Sequence, residues 1–260
     1  MSKLIIGDIH LLPLPGTPHG HYTLDQVLHR AVSDAQSLKD GGVDTVILEN
    51  FGDAPFVRTQ VEPHVVAMMT RIALAVREVG LALGINVLRN DAQAAMAIAS
   101  TVEAIFIRIN VHTGAAWTDQ GLIQGEAYQT LMYRKQLGVS IEIAADVMVK
   151  HATPAGTRTL LDAAKDTLNR GGAAHLIVTG TATGATVNVN ELANLRASLP
   201  NTSIWIGSGI HIENVEEVLQ FADGAIVGTY FHTEGDLDKP LDAERVAKLV
   251  HVVSEAYPQS

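Results

Sequence analysis

The chain has 260 residues, of which 47% are hydrophobic, and a formal net charge of −10. Length and apolar content suit one large core, and a single barrel domain commonly has about 250 residues. Eighteen basic against 28 acidic residues exclude the concentrated cationic surface that nucleic acid requires, and the absence of cysteine excludes disulfides, thiolate metal sites and cysteine nucleophiles.

The first strand is expected over Leu4 to Ile9, followed by an irregular Pro/Gly-rich loop from Leu12 to His21. Thr23 caps the helix after it, whose Leu24, Val27, Leu28, Ala31 and Ala35 recur at helical spacing and which Asp40-Gly41-Gly42 ends. A second strand, Thr45 to Leu48, leads into a long loop from Asn50 to Val61. A helix over Val65 to Val79, a strand over Leu81 to Val87, a helix over Asp91 to Ser100 and a strand over Ala104 to Ile109 complete four β/α units. Asn110 to Gly125, with Trp117, reads as a second long loop before a helix from Glu126 to Leu137. Strands at Val139 to Val147, Ala174 to Thr179, Ser203 to Ile206 and Ala225 to Val227 then alternate with helices at Gly156 to Arg170, Asn190 to Ser198, His211 to Phe221 and Asp242 to Ala256.

Strict alternation of short apolar strands with helices indicates a buried parallel sheet. Eight units favour a single-domain (β/α)8 TIM barrel of the α/β class over a doubly wound sheet. The Rossmann alternative lacks a G-x-G-x-x-G after its first strand and a linker between domains. No apolar run approaches the ~20 residues of a membrane span, and the N-terminus turns acidic at Asp8, too early for a signal peptide. A cytoplasmic protein is expected, with peripheral membrane association and self-association through the outer helices left open.

Side chains alternate faces along a strand, so polar residues of one parity at the strand ends converge on the barrel mouth. Strand one gives Asp8 and His10, strand two Glu49, strand three Asn86, strand four Arg108 and Asn110, strand five Asp146 with Lys150 just beyond, and strand six Thr179. Each alone is often a cap or half of an ion pair. Together they describe a polar cup, because projecting charge from most strands to one end costs desolvation that a structural rim does not need. Asp8, Glu49 and Asp146 can serve as general acid or base. Lys150 can neutralise developing charge, form an imine, or be a solvated lysine. Asn86, Arg108, Asn110, His112 and Thr179 are candidates to orient a substrate. No cofactor is expected. A divalent cation held by Asp8, His10 and Glu49 is the option kept open, although the chain lacks the tight H-x-H or H-E-x-x-H spacing. His10, His112 and His151, just past strands one, four and five, can transfer protons, ligate a metal or hydrogen-bond the groups around the site.

Strands seven and eight end in glycine turns, Gly207-Ser208-Gly209 and Gly228-Thr229. Glycine lets backbone approach an anion, the hydroxyls add donors, and loops after these strands commonly hold phosphate in such barrels. With Gly180 they make a candidate phosphate clamp for a small phosphorylated ligand.

Six stretches carry a resemblance. They are Gly7-Asp8-Ile9-His10-Leu11-Leu12-Pro13-Leu14-Pro15-Gly16, Glu49-Asn50-Phe51-Gly52-Asp53-Ala54-Pro55-Phe56, Gly84-Ile85-Asn86-Val87-Leu88-Arg89-Asn90-Asp91, Arg108-Ile109-Asn110-Val111-His112-Thr113-Gly114-Ala115, Ala145-Asp146-Val147-Met148-Val149-Lys150-His151 and Val178-Thr179-Gly180-Thr181-Ala182-Thr183-Gly184. In this order, across nearly the whole chain, the sequence resembles the BtpA family, which includes the SgcQ-like proteins. The resemblance implies a TIM barrel akin to the ribulose-phosphate-binding barrels. It also implies either photosystem I biogenesis at the thylakoid, the association of the cyanobacterial branch, or action on nucleosides or sugars. Each stretch starts at a strand end and runs into its loop, so the loops after strands two and four are expected as walls or lids.

Overall fold

A computed structural model describes residues 3–148, 152–156, 158–180 and 187–258. In chain order the elements are β1 (Leu4–His10), α1 (Leu24–Asp40), β2 (Thr45–Glu49), α2 (Pro63–Arg77), β3 (Ala82–Asn86), α3 (Ala92–Thr101), β4 (Phe106–Ile109), β5 (Ala115–Thr118), β6 (Gly121–Gln124) and α4 (Ala127–Leu137). They continue with β7 (Glu142–Val147), β8 (Ala152–Pro154), α5 (Leu160–Asn169), β9 (His175–Val178), α6 (Val189–Ser198), β10 (Ser203–Ile206), α7 (Val215–Leu219), β11 (Gly224–Val227) and α8 (Ala243–Ala256). Eight parallel strands close in the order β1-β11-β10-β9-β7-β4-β3-β2. The expected TIM barrel is therefore present, with eight α-helices among the described residues.

Period-two alternation divides the apolar residues into two cores. Ile6, Ile47, Phe106, Ala144, Ile177, Trp205 and Ile226 point inward and fill the barrel, while the opposite faces of the same strands pack against the helices. Phe106 meets Trp205 edge-on at 5.3 Å between centroids, an arrangement that aromatic quadrupoles favour. Gly84 exists to accept that phenyl ring. A Cβ there would lie 2.1 Å from Phe106 Cζ, so Gly84→Ala is expected to cost about 1–3 kcal/mol through overpacking. Chemical denaturation checks this, with the companion Phe106→Leu in the Gly84→Ala background restoring part of the loss.

Local signals place the helices. Thr23 accepts from Gln26 N and Gln26 returns the bond to Thr23 N, the reciprocal capping box at the start of α1. Asp91, Thr159, Asn188 and Asp242 cap α3, α5, α6 and α8 by the same chemistry.

Three expectations change. The loop from Asn110 to Gly125 contains the β5–β6 hairpin, and β8 joins it as an antiparallel sheet in the order β6-β5-β8. The helix expected from His211 to Phe221 is confined to Val215–Leu219, because Asn214 bonds back to His211 N and Gly209 O and occupies the preceding residues with a turn. The helix after β7 begins at Leu160, where Thr159 supplies the cap, and not at Gly156, whose φ of 103° is not helical.

Candidate functional site

Register puts the polar parity side by side. His10 pairs with Glu49, Glu49 with Asn86 and Asn86 with Arg108, so four neighbouring strands present one row at the mouth. Asp8, Glu49, Asn86, Arg108, Asn110 and Asp146 are all buried.

The centre of this row is an ion pair. Arg108 donates from Nε and Nη2 to the two oxygens of Asp146 at 2.9 and 3.0 Å, a fork-to-fork geometry, and its Nη1 lies 3.8 Å from Glu49 Oε2. Burial alone works against the charged guanidinium. Asp146, by charge and hydrogen bond, and then Glu49 and Asp8 outweigh it and hold Arg108 above the usual arginine range. Asn110 donates to Asp146 Oδ2 at 3.2 Å, and Asn86 donates to Glu49 Oε2 at 2.8 Å. Both amides keep a buried Oδ1 without a hydrogen-bond partner among the described residues, so each has acceptor capacity left for a ligand. Arg89, buried nearby and unassigned from sequence, is coupled electrostatically to Asp146 and Glu49. Burial lowers its pKa against their pull.

Beside this row opens a cavity of about 240 Å³ lined by Asp8, His10 and Phe51 on one side and by Gly207, Ser208, Gly209, Gly228 and Thr229 on the other. The two glycine turns expected to hold phosphate thus face one cavity. Ser208 is buried and its Oγ has no partner among the described residues. Gly209 sits at φ 74°, which disfavours a side chain. A Cβ on Gly228 would meet His10 Cε1 at 2.5 Å. The backbone after Gly228 turns at once into a 3-10 segment, Thr229–Phe231.

Arg245 and His211 of this cavity were not assigned from sequence. Arg245, in the first turn of α8, donates to Tyr230 O at 2.7 Å and lies 4.6 Å over the Tyr230 ring, which aims its guanidinium along the cavity wall. His211 lines the same cavity. An arginine just after the Asp242 cap was the readable signal, masked by its ordinary place in a helix.

His10 is gripped by rings. Phe51 lies 4.6 Å from it and His232 stacks at 5.7 Å, while its Nε2 is 3.3 Å from Asp8 Oδ2. His232 is fully buried and its Nδ1 donates to Lys239 O at 2.7 Å; burial pushes its pKa down, with the carbonyl bond opposing.

The other candidates lie outside the lining of that cavity or outside the described residues. His112 bonds through Nε2 to Gly171 O at 2.8 Å, tying the loop after β4 to the turn before β9, and it does not line the cavity at the glycine turns. Gly180 and Thr179 line a cavity between β7 and β9 with Thr159 and Glu191, and Thr179 Cγ2 lies 2.8 Å from where a Cβ on Gly207 would be. Lys150, His151 and the Thr181–Gly184 part of the last motif lie outside the described residues.

The loops expected as walls are stitched by their motif residues. Asp53 accepts from Leu14 N at 2.8 Å and Asn50 Nδ2 at 3.0 Å, Asn50 Oδ1 accepts from Leu88 N at 2.7 Å, and Asn90 exchanges bonds with Val111 N and O. Four successive β/α loops are joined in this way. Burial raises the Asp53 pKa against these bonds.

Burial pushes the His112 pKa below its usual value, partly offset by the Gly171 carbonyl. The unfolded chain therefore takes up this proton first as pH falls below about 6.5. Stability present at neutral pH is lost through that window and levels off below the folded value. His112→Gln keeps a donor for Gly171 O and cannot titrate. The gap in thermal midpoint between wild type and this variant is expected to narrow between pH 7.5 and pH 5.5; a constant gap would show that His112 does not contribute.

The family model described as the BtpA family matches residues 1–255. The chain is 44% identical over 252 residues to the photosystem I biogenesis protein BtpA of Synechocystis sp., covering 96% of this chain and 88% of that one. It is 43% identical to an uncharacterised protein of Thermococcus kodakarensis, covering 97% and 96%. Among solved structures it is similar to N-(5'-phosphoribosyl)anthranilate isomerase from Pyrococcus furiosus, at TM-score 0.60 and 11% identity, covering 98% of this chain and all of that one. It is also similar to (S)-3-O-geranylgeranylglyceryl phosphate synthase from Thermoplasma acidophilum in complex with sn-glycerol-1-phosphate, at TM-score 0.59 and 14% identity, covering 98% and 94%. At such identities the likeness establishes a shared barrel fold.

Proposed function

The chain belongs to the BtpA family, and we propose on that footing that it is an enzyme of small phosphorylated sugars or nucleotide-like compounds, working at the C-terminal mouth of the barrel. The observation that carries this reading is the cavity in which both glycine turns face the carboxylate of Asp8. Backbone amides at Ser208, Gly209 and Thr229, the Ser208 and Thr229 hydroxyls, and Arg245 hold the phosphate. The rest of the ligand then extends over the row of Glu49, Asn86, Arg108 and Asp146. Asn86 and Asn110 orient it through their remaining amide oxygens. Carboxylates beside a buried guanidinium suit isomerisation, aldol-type cleavage and N-glycosidic cleavage, since each moves a proton and stabilises developing charge. Asp8 and Glu49 are better placed for that work than Asp146, whose two oxygens are already engaged by Arg108. The neighbours named for a phosphoribosyl compound and for a glyceryl phosphate support the choice of ligand class.

A thermal-shift screen of phosphorylated sugars and nucleotides tests the reading, repeated on the double variant Ser208→Asp, Thr229→Asp. Two carboxylates in the clamp repel a phosphate, so the stabilisation by the best ligand is expected to vanish in the variant. Equal stabilisation of both proteins would remove the clamp.

A second reading rests on the name of the Synechocystis relative. There the barrel serves assembly of a membrane complex without turnover, in the thylakoid-peripheral setting of that branch or in another peripheral association with a membrane. Among the described residues no helix is long and apolar enough to cross a membrane. In this reading Asp8→Asn leaves biological activity intact, while replacing the exposed Trp117 of the β5–β6 hairpin abolishes it.

A further inference from the structure

The sequence offers no tight ligand spacing, yet the fold brings Asp8 and His10 of β1 against Glu49 of β2. One ligand atom from each lies within 4.8 Å of the other two. Two ligands of one cation at about 2.1 Å are at most about 4.2 Å apart, so closure by roughly half an ångström completes three sides of a coordination sphere. The residues around the triad are arranged to hold it. Asn86 donates to Glu49 Oε2 at 2.8 Å, the kind of outer bond that orients a ligating carboxylate. Phe51 and His232 clamp the His10 ring on two faces.

Asp8, Glu49 and Asp146 are buried carboxylates, and the guanidiniums coupled to them are Arg108 and Arg89. Arg108 spends its fork on Asp146 and approaches Glu49 only at 3.8 Å. Asp8 also lines the cavity with the glycine turns. A phosphorylated ligand brings further negative charge to that wall, where low dielectric makes repulsion expensive.

We propose that Asp8, His10 and Glu49 bind one divalent transition-metal cation, of the Mn²⁺ or Zn²⁺ kind, whose open positions face the cavity and take an oxygen of the phosphorylated ligand. Two carboxylate oxygens and one imidazole nitrogen suit such ions, whereas an all-oxygen set would suit Ca²⁺ or Mg²⁺. The assignment deepens the proposed reading of this site and makes Asp8 and Glu49 metal ligands in place of proton-transfer groups. The cation itself does not depend on the ligand being a phosphate.

The experiment is titration of the chelator-stripped chain with Mn²⁺ in the absence of any phosphate, followed by the loss of the free-ion electron paramagnetic resonance signal. One Mn²⁺ per chain is expected, with a rise in thermal midpoint. Asp8→Asn, Glu49→Gln and His10→Gln are each expected to weaken binding by at least about 10–100-fold, the loss seen when even an outer partner of a ligand is removed. Glu103→Gln, an exposed carboxylate, is expected to bind as wild type does. The thermal midpoints and cooperative melting of the metal-free variants establish that they fold. Absence of saturable Mn²⁺ or Zn²⁺ binding by the wild type overturns the proposal, as does undiminished binding by the three folded ligand variants. Since no phosphate is present, this outcome is separate from that of the ligand screen on the Ser208 and Thr229 variant.

Discussion

Replacing Arg108 by Met is expected to cost about 3–5 kcal/mol, since it leaves the Asp146 carboxylate buried beside Glu49 without its guanidinium. For a domain of this size that corresponds to a fall in thermal midpoint of roughly 6–20 °C. The magnitude follows from geometry. Arg108 is at the centre of the inward row, makes two short bonds to Asp146, and adds the attraction of Glu49 and Asp8. Removing both charges is a different perturbation. Arg108→Met with Asp146→Leu replaces the pair by apolar groups, and pairs treated this way are often neutral or stabilised. The double variant is expected to recover most of the loss while abolishing stabilisation by ligands, because Asn110 then loses its anchor and the cup its Arg108 guanidinium. A single variant within about 0.5 kcal/mol of wild type, as for an ordinary surface change, would mean that the pair is not structurally committed.

Gly228→Val is expected to have the second largest effect, on binding more than on folding. A Cβ at this position points at the His10 ring, 2.5 Å from Cε1, and at Asp8 Cβ, 3.2 Å away. His10 cannot swing aside freely, because Phe51 and His232 hold its ring. The collision must therefore push β11 and its turn outward, at an overpacking cost of about 1–3 kcal/mol. The displaced segment is Gly228-Thr229, half of the proposed clamp. Stabilisation by the best phosphorylated ligand is expected to disappear in a protein that still melts cooperatively. Calorimetric titration checks it: a folded variant with wild-type affinity would place the phosphate elsewhere.

The inward parity was legible because it follows from strand geometry alone. Counting by twos from Ile6, Ile47, Phe106, Ala144 and Ile177 reaches Asp8, Glu49, Arg108, Asp146 and Thr179, and the barrel's interior core is that set of apolar residues. Thr23 was readable as a cap for the same local reason. What depended on distant chain was hidden. The pairing of Ala116 with Pro154 that makes β8 part of the hairpin sheet joins loops from different units, and no periodicity records it. His112 stood in the right place after β4, but its bond goes to Gly171, far along the chain. Arg245 and Arg89 looked like ordinary helical or loop arginines. Only closure of the barrel brings one to the glycine turns and the other to the carboxylates. The shortening of α7 is a competition between side chain and backbone, in which the Asn214 amide wins.

The proposed phosphate position at the mouth of this barrel is between the turns after β10 and β11. A crystal structure of the wild-type chain soaked with the most stabilising phosphorylated compound addresses it directly. The expected result is a phosphate within hydrogen-bond distance of the backbone amides at Ser208, Gly209 and Thr229, with Arg245 beside it and the remainder of the compound lying over Asp8 and Asn86. A phosphate in the cavity of Thr179 and Gly180 between β7 and β9, or on the outer surface, would overturn the clamp formed by the two glycine turns.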